Sequence, residues 1–277
     1  MKQSSLLEAF LDRPAPNFVL SSSFGNDSLA MLQWAVEAGL PQRHRCVTLY
    51  SDTGWAHRDW AARVEQYEAW ARAQGFETAR TSSVGMLALV ERERGWPRHG
   101  MQFCTEHLKV LPAQAWMELV DPSARATVMI GKRRAESSKR ADTPEYIASS
   151  AQSGGRRVWH PLYAHSHAER DALLQRAGVA VLPHRSDECF PCVNAGKEDI
   201  KRLTEDRIAL IEGHEAKLGN TKKGSPRTMY RPERKRGATG IRAIVRWSHS
   251  KRGGFDMADF TGPSETETGC DGGWCAA

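Results

Sequence analysis

The sequence predicts an α/β fold, a parallel twisted sheet with helices on both faces, followed by a cysteine-bearing metal subdomain at the C-terminal end. Three observations predict it. Short apolar runs alternate with helix-length runs of helical spacing, the pattern of βαβ units. Two of the apolar runs, Phe18-Val19-Leu20 and Arg45 to Tyr50, end in polar clusters at Ser21–Ser28 and Ser51–Gly54. Ligands of parallel sheets sit there, beyond the carboxyl ends of the strands. Finally, 277 residues, 40% of them apolar and 26% charged, suffice for a full core with an appendage. The expected division is 1–185 for the sheet domain and 186–277 for a cysteine-rich, basic region.

Taken in order, the first strand runs into a loop of Ser, Gly, Asn and Asp, and helical spacing follows at Leu29, Met31, Leu32, Trp34 and Ala35. Strand, small-residue loop and helix together aim backbone N–H groups at an anion, and Gly25 is the residue expected to turn with a positive φ. No G-x-x-x-x-G-K-[ST] loop is present. A helix is predicted from Arg58 to Gln74, stopped by Gly75, and a strand over Phe76–Thr81. A further helix spans Met86–Arg94, broken by Gly95-Trp96-Pro97. The helix Pro112–Val120 precedes a buried strand, Thr127–Ile130, which opens onto Gly131 and a basic cluster in which Arg133 and Arg134 are placed to clamp phosphate or sulfate. Helical runs at Ala168–Ala177 and Glu198–Leu218 complete the pattern.

No apolar run approaches the roughly 20 residues that span a bilayer, and the opening MKQSSLLEAFLDRPAP does not read as a signal peptide. The expectation is a cytoplasmic protein without a membrane partner. Six cysteines in a reducing compartment then read as ligands, redox groups or buried thiols. Cys189-Phe190-Pro191-Cys192 and Cys270 to Cys275 are two close pairs split by a long insert, a pattern suited to four thiolates, Cys189, Cys192, Cys270 and Cys275, on one metal centre. Spacing favours neither iron–sulfur nor zinc. Cys46 reads as a small buried hydrophobe. Cys104 has three readings, in this order: a structural thiol, a ligand replacing a tail cysteine, or a persulfide carrier. His165 and His167 form a possible H-x-H pair, more simply unliganded. Lys109 reads equally well as a neutraliser of pyrophosphate and as a surface lysine.

The net charge is +6, yet Lys217–Arg252 holds twelve Lys and Arg against one acid, Glu233. The remainder of the chain is therefore net acidic. A basic insert with interleaved Tyr230 and Trp247 points to a nucleic-acid partner, with phosphates neutralised by the cations and bases stacked on the rings.

Four motifs now stand in order: S-F-G-x-D-S at Ser23–Ser28, D-T-G at Asp52–Gly54, C-T-x-x-L-K at Cys104–Lys109 and G-x-R-x-x-E-S-x-x-R at Gly131–Arg140. Over roughly residues 15–215 the chain resembles the PAPS (phosphoadenylylsulfate) reductase-like superfamily of PP-loop, adenine nucleotide alpha-hydrolase-like proteins. That group includes sulfonucleotide reductases, DndC-like phosphorothioation proteins and phage-encoded relatives. The resemblance implies an adenine nucleotide, ATP with Mg²⁺, and roles by position. Ser21, Ser23, Phe24, Gly25, Asn26, Asp27 and Ser28 would line the phosphates, with Asp27 beside Mg²⁺. Tyr50, Asp52, Thr53 and Gly54 would lie by the adenosine. Gly131, Arg133, Glu136 and Arg140 would close over the phosphates or the second substrate. Asp27, Ser28 and Arg133 are the residues expected to carry catalysis. The resemblance also favours a [4Fe–4S] cluster over Zn²⁺.

The reductases' terminal E-C-G-x-H segment is missing from this sequence, and the Asp27-Ser28 pair that they lack is kept. Both departures favour adenylylation, ATP going to AMP and pyrophosphate, in sulfur incorporation into or modification of nucleic acid, with a sulfur donor or modification-complex proteins as further partners. The alternatives are a PAPS reductase and a nucleic-acid-binding subunit of a modification or defence complex.

Overall fold

The computed structural model describes residues 13–98, 100–231 and 239–250. Among them the strands are β1 (Phe18–Ser21), β2 (Cys46–Asp52), β3 (Glu77–Ser82), β4 (Thr127–Ile130), β5 (Tyr146–Ile147) and β6 (Arg157–Trp159). They form one sheet in the order β3-β2-β1-β4-β6-β5. All neighbours are parallel except the edge strand β5, which runs antiparallel to β6. The sequence pattern did not announce β5 and β6, because two or three residues are too few to show a period.

Alternation along the strands sends side chains to two helical layers. Leu20, Cys46, Tyr50 and Met129 join a core with α1 (Asn26–Glu37), α3 (Trp60–Ala73) and α7 (His167–Arg176). Val19, Val47, Leu49, Val128 and Ile130 pack with α6 (Leu111–Val120) on the opposite face. Chain order between these helices is completed by α2 (Leu40–Arg43), α4 (Met86–Arg92) and the short α5 (Phe103–Thr105), which enters α6 through a π-helical turn at Glu106–Val110. The predicted parallel sheet with helices on both faces is the architecture observed.

A third core joins Trp55, Met86, Leu89 and Leu108 to Phe190, Ile200, Ile211, Met229, Tyr230, Ile241 and Ile244. It is roofed by α8 (Lys197–Lys201), α9 (Glu205–Leu218) and α10 (Ile241–Ser248). The single helical run expected over Glu198–Leu218 is two helices, because Thr204 is extended and restarts the chain with Glu205 and Asp206 in the first turn. The Glu215 carboxylate then anchors the basic insert by accepting the backbone N–H groups of Met229 and Ile241, both at 2.9 Å.

This packing corrects one expectation. Tyr230 and Trp247 are 2% and 5% exposed, and the Tyr230 hydroxyl donates to the Cys192 carbonyl at 2.9 Å. Apolar burial has claimed both rings, so they are not available to stack on bases. Part of the basic insert is likewise paired: Arg242 with Glu205 and Glu212, and Lys217 with Glu91. Lys222, Lys223, Arg231 and Arg246 are exposed, while Arg234, Lys235, Arg236, Lys251 and Arg252 lie outside the described residues. No helix among the described residues is long and apolar enough to cross a membrane.

Candidate functional site

Strand order reverses between β1 and β4, and a crevice at such a reversal is where doubly wound sheets bind ligands. The Ser21–Ser28 and Gly131–Arg140 loops leave those two strands side by side. In the first loop Ser22 and Ser23 accept, through their hydroxyls, the backbone N–H groups of Phe24 (3.2 Å) and Gly25 (3.3 Å). The carbonyls are held from α3: Trp60 Nε1 donates to Ser23 O and Arg63 Nε to Phe24 O. The left-handed residue is Phe24 at φ 56°, not Gly25, whose φ is −79°. A bulky residue tolerates that conformation only when it is held elsewhere. Phe24 is fully buried, its ring centre 5.9 Å from that of Tyr50. Tyr50 is thus a support beneath the loop, and burial raises its hydroxyl pKa.

Asn26 spends both ends of its amide on the backbone of Leu182, at 2.9 and 3.0 Å. Its side chain tethers the 182 segment, which leaves its backbone to face a ligand. Ser28 donates to the Gly25 carbonyl at 3.1 Å. Asp27 is buried and accepts from Arg133 Nε on one oxygen, while Arg170 Nη1 lies 3.9 Å from the other. Burial, then the Glu136 charge, pushes the Asp27 carboxyl up to about 6 against the pull of Arg133 and Arg170. A carboxylate with both oxygens turned to guanidinium groups suits a bridge between arginines. The resemblance placed Asp27 beside Mg²⁺; in this structure its two oxygens face Arg133 and Arg170.

Gly131 makes this meeting possible, since a Cβ there would lie 2.7 Å from the Asp27 carbonyl oxygen. Glu136 accepts the Arg133 backbone N–H at 2.9 Å and also pairs with Arg140. Arg133, Arg140 and Arg170 face Asp27, Glu136 and Asp171, which pairs with Arg170 at 2.6 Å, so the cluster is balanced in formal charge. Glu136 Oε1, Ser137 Oγ and Thr143 Oγ1 are buried without a hydrogen-bond partner, an arrangement that calls for a polar ligand or solvent. Arg134 is no clamp: it donates to Thr143 O and stacks over Tyr163 at 4.9 Å. Arg170 went unnoticed in the sequence because nothing local to α7 marks its approach to Asp27.

At the end of β2, the Asp52 carboxylate accepts the Gly54 N–H at 2.9 Å. Gly54 is left-handed at φ 61°, and a Cβ there would meet Gly85 at 3.0 Å. The next residues are stitched to the cysteine loop. Thr53 Oγ1 donates to Glu188 O (2.7 Å), Phe190 N to Trp55 O (2.8 Å), Trp55 Nε1 to Pro191 O (2.9 Å) and His57 N to Asp187 O (2.9 Å). Cys189 and Cys192 therefore stand directly behind the D-T-G loop.

Those two thiols and Cys104 line one cavity of about 40 Å³, together with Met86, Lys109 and Glu188. Lys109 is buried and paired with Glu188, which removes the surface-lysine reading and directs its charge at the cysteines rather than at pyrophosphate. Burial pushes the Cys104 thiol up to about 12 and that of Cys189 up to about 11. Cys46 lies in the sheet core, as expected. Cys270 and Cys275 lie outside the described residues. Among the described residues no three His, Cys, Asp or Glu side chains are arranged to hold a single metal ion. His167 Nδ1 lies 3.4 Å from Arg133 Nη2, while the His165 carbonyl accepts from Arg133 at 3.3 Å.

A family model described as phosphoadenosine phosphosulfate reductase domain matches residues 17–188. Among solved structures, the chain is similar to a phosphoadenylyl-sulfate (PAPS) reductase of Candida auris in a phosphate complex, at 19% identity over 65% of this chain and 80% of that one, with a TM-score of 0.41. It is also similar to the FMN adenylyltransferase of Candida glabrata in complex with FMN and an ATP analogue, at 12% identity over 57% and 47% of the two chains, with a TM-score of 0.33. No curated protein matches significantly.

Proposed function

Because the chain belongs to the phosphoadenosine phosphosulfate reductase domain family, we propose that it is an enzyme that binds an adenine nucleotide across the β1/β4 reversal and uses ATP to adenylylate an acceptor. The observation that carries this reading is the meeting of two strand-end loops over a buried Asp27–Arg133 pair, beside three unpartnered polar atoms. An acceptor oxygen or nitrogen would attack the α-phosphorus. The bond to the oxygen bridging the α- and β-phosphorus would break, pyrophosphate would leave with the electron pair, and the acceptor would give up its proton to solvent. Such a transfer needs donors aimed at developing charge rather than a nucleophile from the protein. The first turn of α1 and the Arg133 and Arg140 guanidinium groups supply them here. Asp27 acts by holding Arg133, and Mg²⁺ belongs to the substrate as its ATP complex.

The acceptor in this reading is a nucleic acid in a sulfur-incorporating or modifying reaction, supported by the exposed Lys222, Lys223, Arg231 and Arg246. A thiol-bound metal centre belongs to the same proposal. Cys189 and Cys192 are its described donors, and the centre would supply sulfur-handling chemistry behind the nucleotide loop. The test is pyrophosphate release from ATP by anaerobically purified protein with DNA and RNA acceptors and a sulfide source. Release that needs an acceptor is expected. Its absence with every acceptor overturns the reading. The family's own description favours a second one, thioredoxin-dependent reduction of PAPS, which the same preparation would reveal as sulfite without pyrophosphate from ATP.

A further inference from the structure

The loop after β1 changes direction at Phe24, a bulky residue held left-handed at φ 56°. Its φ and ψ are set by the peptide planes on either side of it. The first plane carries the Ser23 carbonyl and the Phe24 N–H, and the second carries the Phe24 carbonyl and the Gly25 N–H. The N–H ends are held only by neighbouring serines, Ser22 Oγ accepting from Phe24 at 3.2 Å and Ser23 Oγ from Gly25 at 3.3 Å. Both bonds lie at the long end of the N–H···O range. The carbonyl ends are held from outside the loop. Trp60 Nε1 donates to Ser23 O at 3.2 Å and Arg63 Nε to Phe24 O at 2.8 Å. Trp60 and Arg63 stand one turn apart, on one face of α3. Of the four bonds that of Arg63 is the shortest and the only one from a charged donor, a class about twice as strong as neutral pairs. The guanidinium is itself oriented, with its central carbon 4.6 Å from the Tyr67 ring centre and 5.3 Å from that of Trp60. Its Nη2 is buried without a hydrogen-bond partner. A half-buried cation with a donor unspent is not accounted for by its own contacts, and its grip on the loop supplies the account.

We propose that Arg63 is a positioning residue for the nucleotide: by holding the Phe24 carbonyl it keeps the loop in the left-handed bend that presents the first-turn N–H groups of α1 to the phosphates. This role rests on the reading that the loop binds an adenine nucleotide. It adds to that site a helix, α3, which none of the four sequence motifs reaches.

Calorimetric titration of the full chain with ATP, together with amide hydrogen exchange, tests the role. Arg63→Met keeps an unbranched stem beside Trp60 and Tyr67 but donates nothing. It should weaken ATP binding by roughly 5- to 100-fold, the span of backbone strain of this kind. Glycine adopts the left-handed bend freely, so Phe24→Gly/Arg63→Met should bind ATP more tightly than Arg63→Met alone. Were Arg63 merely structural, or a direct phosphate contact, the two losses would add, and additive losses overturn the proposal. Should the double variant fail to fold, hydrogen exchange of Arg63→Met decides. Faster exchange at the Phe24 and Gly25 amides, with β1 and α3 still protected, upholds the role, and unchanged exchange there overturns it. A wild type that binds no adenine nucleotide sinks the ATP reading and this role with it. Wild-type binding without a loss in Arg63→Met sinks this proposal alone.

Discussion

Replacing Asp27 with asparagine removes a buried charge while keeping the shape of the side chain and an acceptor oxygen for Arg133. Burial raises the Asp27 pKa from 3.8 to about 6. A carboxyl raised in this way favours folding while it is protonated. That contribution is complete below 3.8 and is lost as pH rises through about 6. A shift of about two units at ~1.4 kcal/mol each means that ionised Asp27 costs the fold about 3 kcal/mol at pH 7. Asp27→Asn should therefore melt higher than wild type at pH 7, by about 6–12 °C at ~2–4 °C per kcal/mol. The gap should close as pH falls to about 4, where wild type carries its own proton. Nucleotide affinity should move the other way, because a neutral partner no longer holds Arg133 in place by charge. Differential scanning calorimetry from pH 4 to 8, with nucleotide titrations at pH 7, reads both. A lower melting temperature for Asp27→Asn at pH 7 would show that the Arg133 pair outweighs burial, and a gap unchanged at pH 4 would refute the linkage.

Gly131→Ala places a methyl 2.7 Å from the Asp27 carbonyl oxygen; it should cost about 1–3 kcal/mol and weaken nucleotide binding by calorimetric titration. Lys109→Met leaves Glu188 buried without its cation, so chemical denaturation should register a loss of about 3–5 kcal/mol, and adding Glu188→Gln should restore much of it. Trp247→Ala empties a core site and should lower stability by about 3–5 kcal/mol. Fluorescence anisotropy at several salt concentrations should show its nucleic-acid affinity unchanged, whereas Lys222→Ala/Lys223→Ala should weaken binding and flatten the salt dependence.

The sequence by itself determined the alternation of strand and helix, the polar loops after β1 and β2, the basic loop after β4 and the close cysteine pair, because each is written in neighbouring residues. A period of two or 3.6, a glycine at a turn and a C-x-x-C are local signals. Tertiary structure decided which of these features meet. Strand order put β4 beside β1 and so paired Arg133 with Asp27, a partner that the loop sequence alone did not announce. Packing of α7 brought Arg170 to the same carboxylate. Tyr230 is buried in the third core and Trp247 is buried on α10 beneath Lys197, although composition alone had marked both for nucleic acid. Cys104 meets Cys189 and Cys192 because all three pack against the third core and line one cavity there. Local sequence encodes the backbone's short-range preferences, whereas the company a side chain keeps depends on how whole faces bury against each other, and that is settled only when the sheet and its helices close.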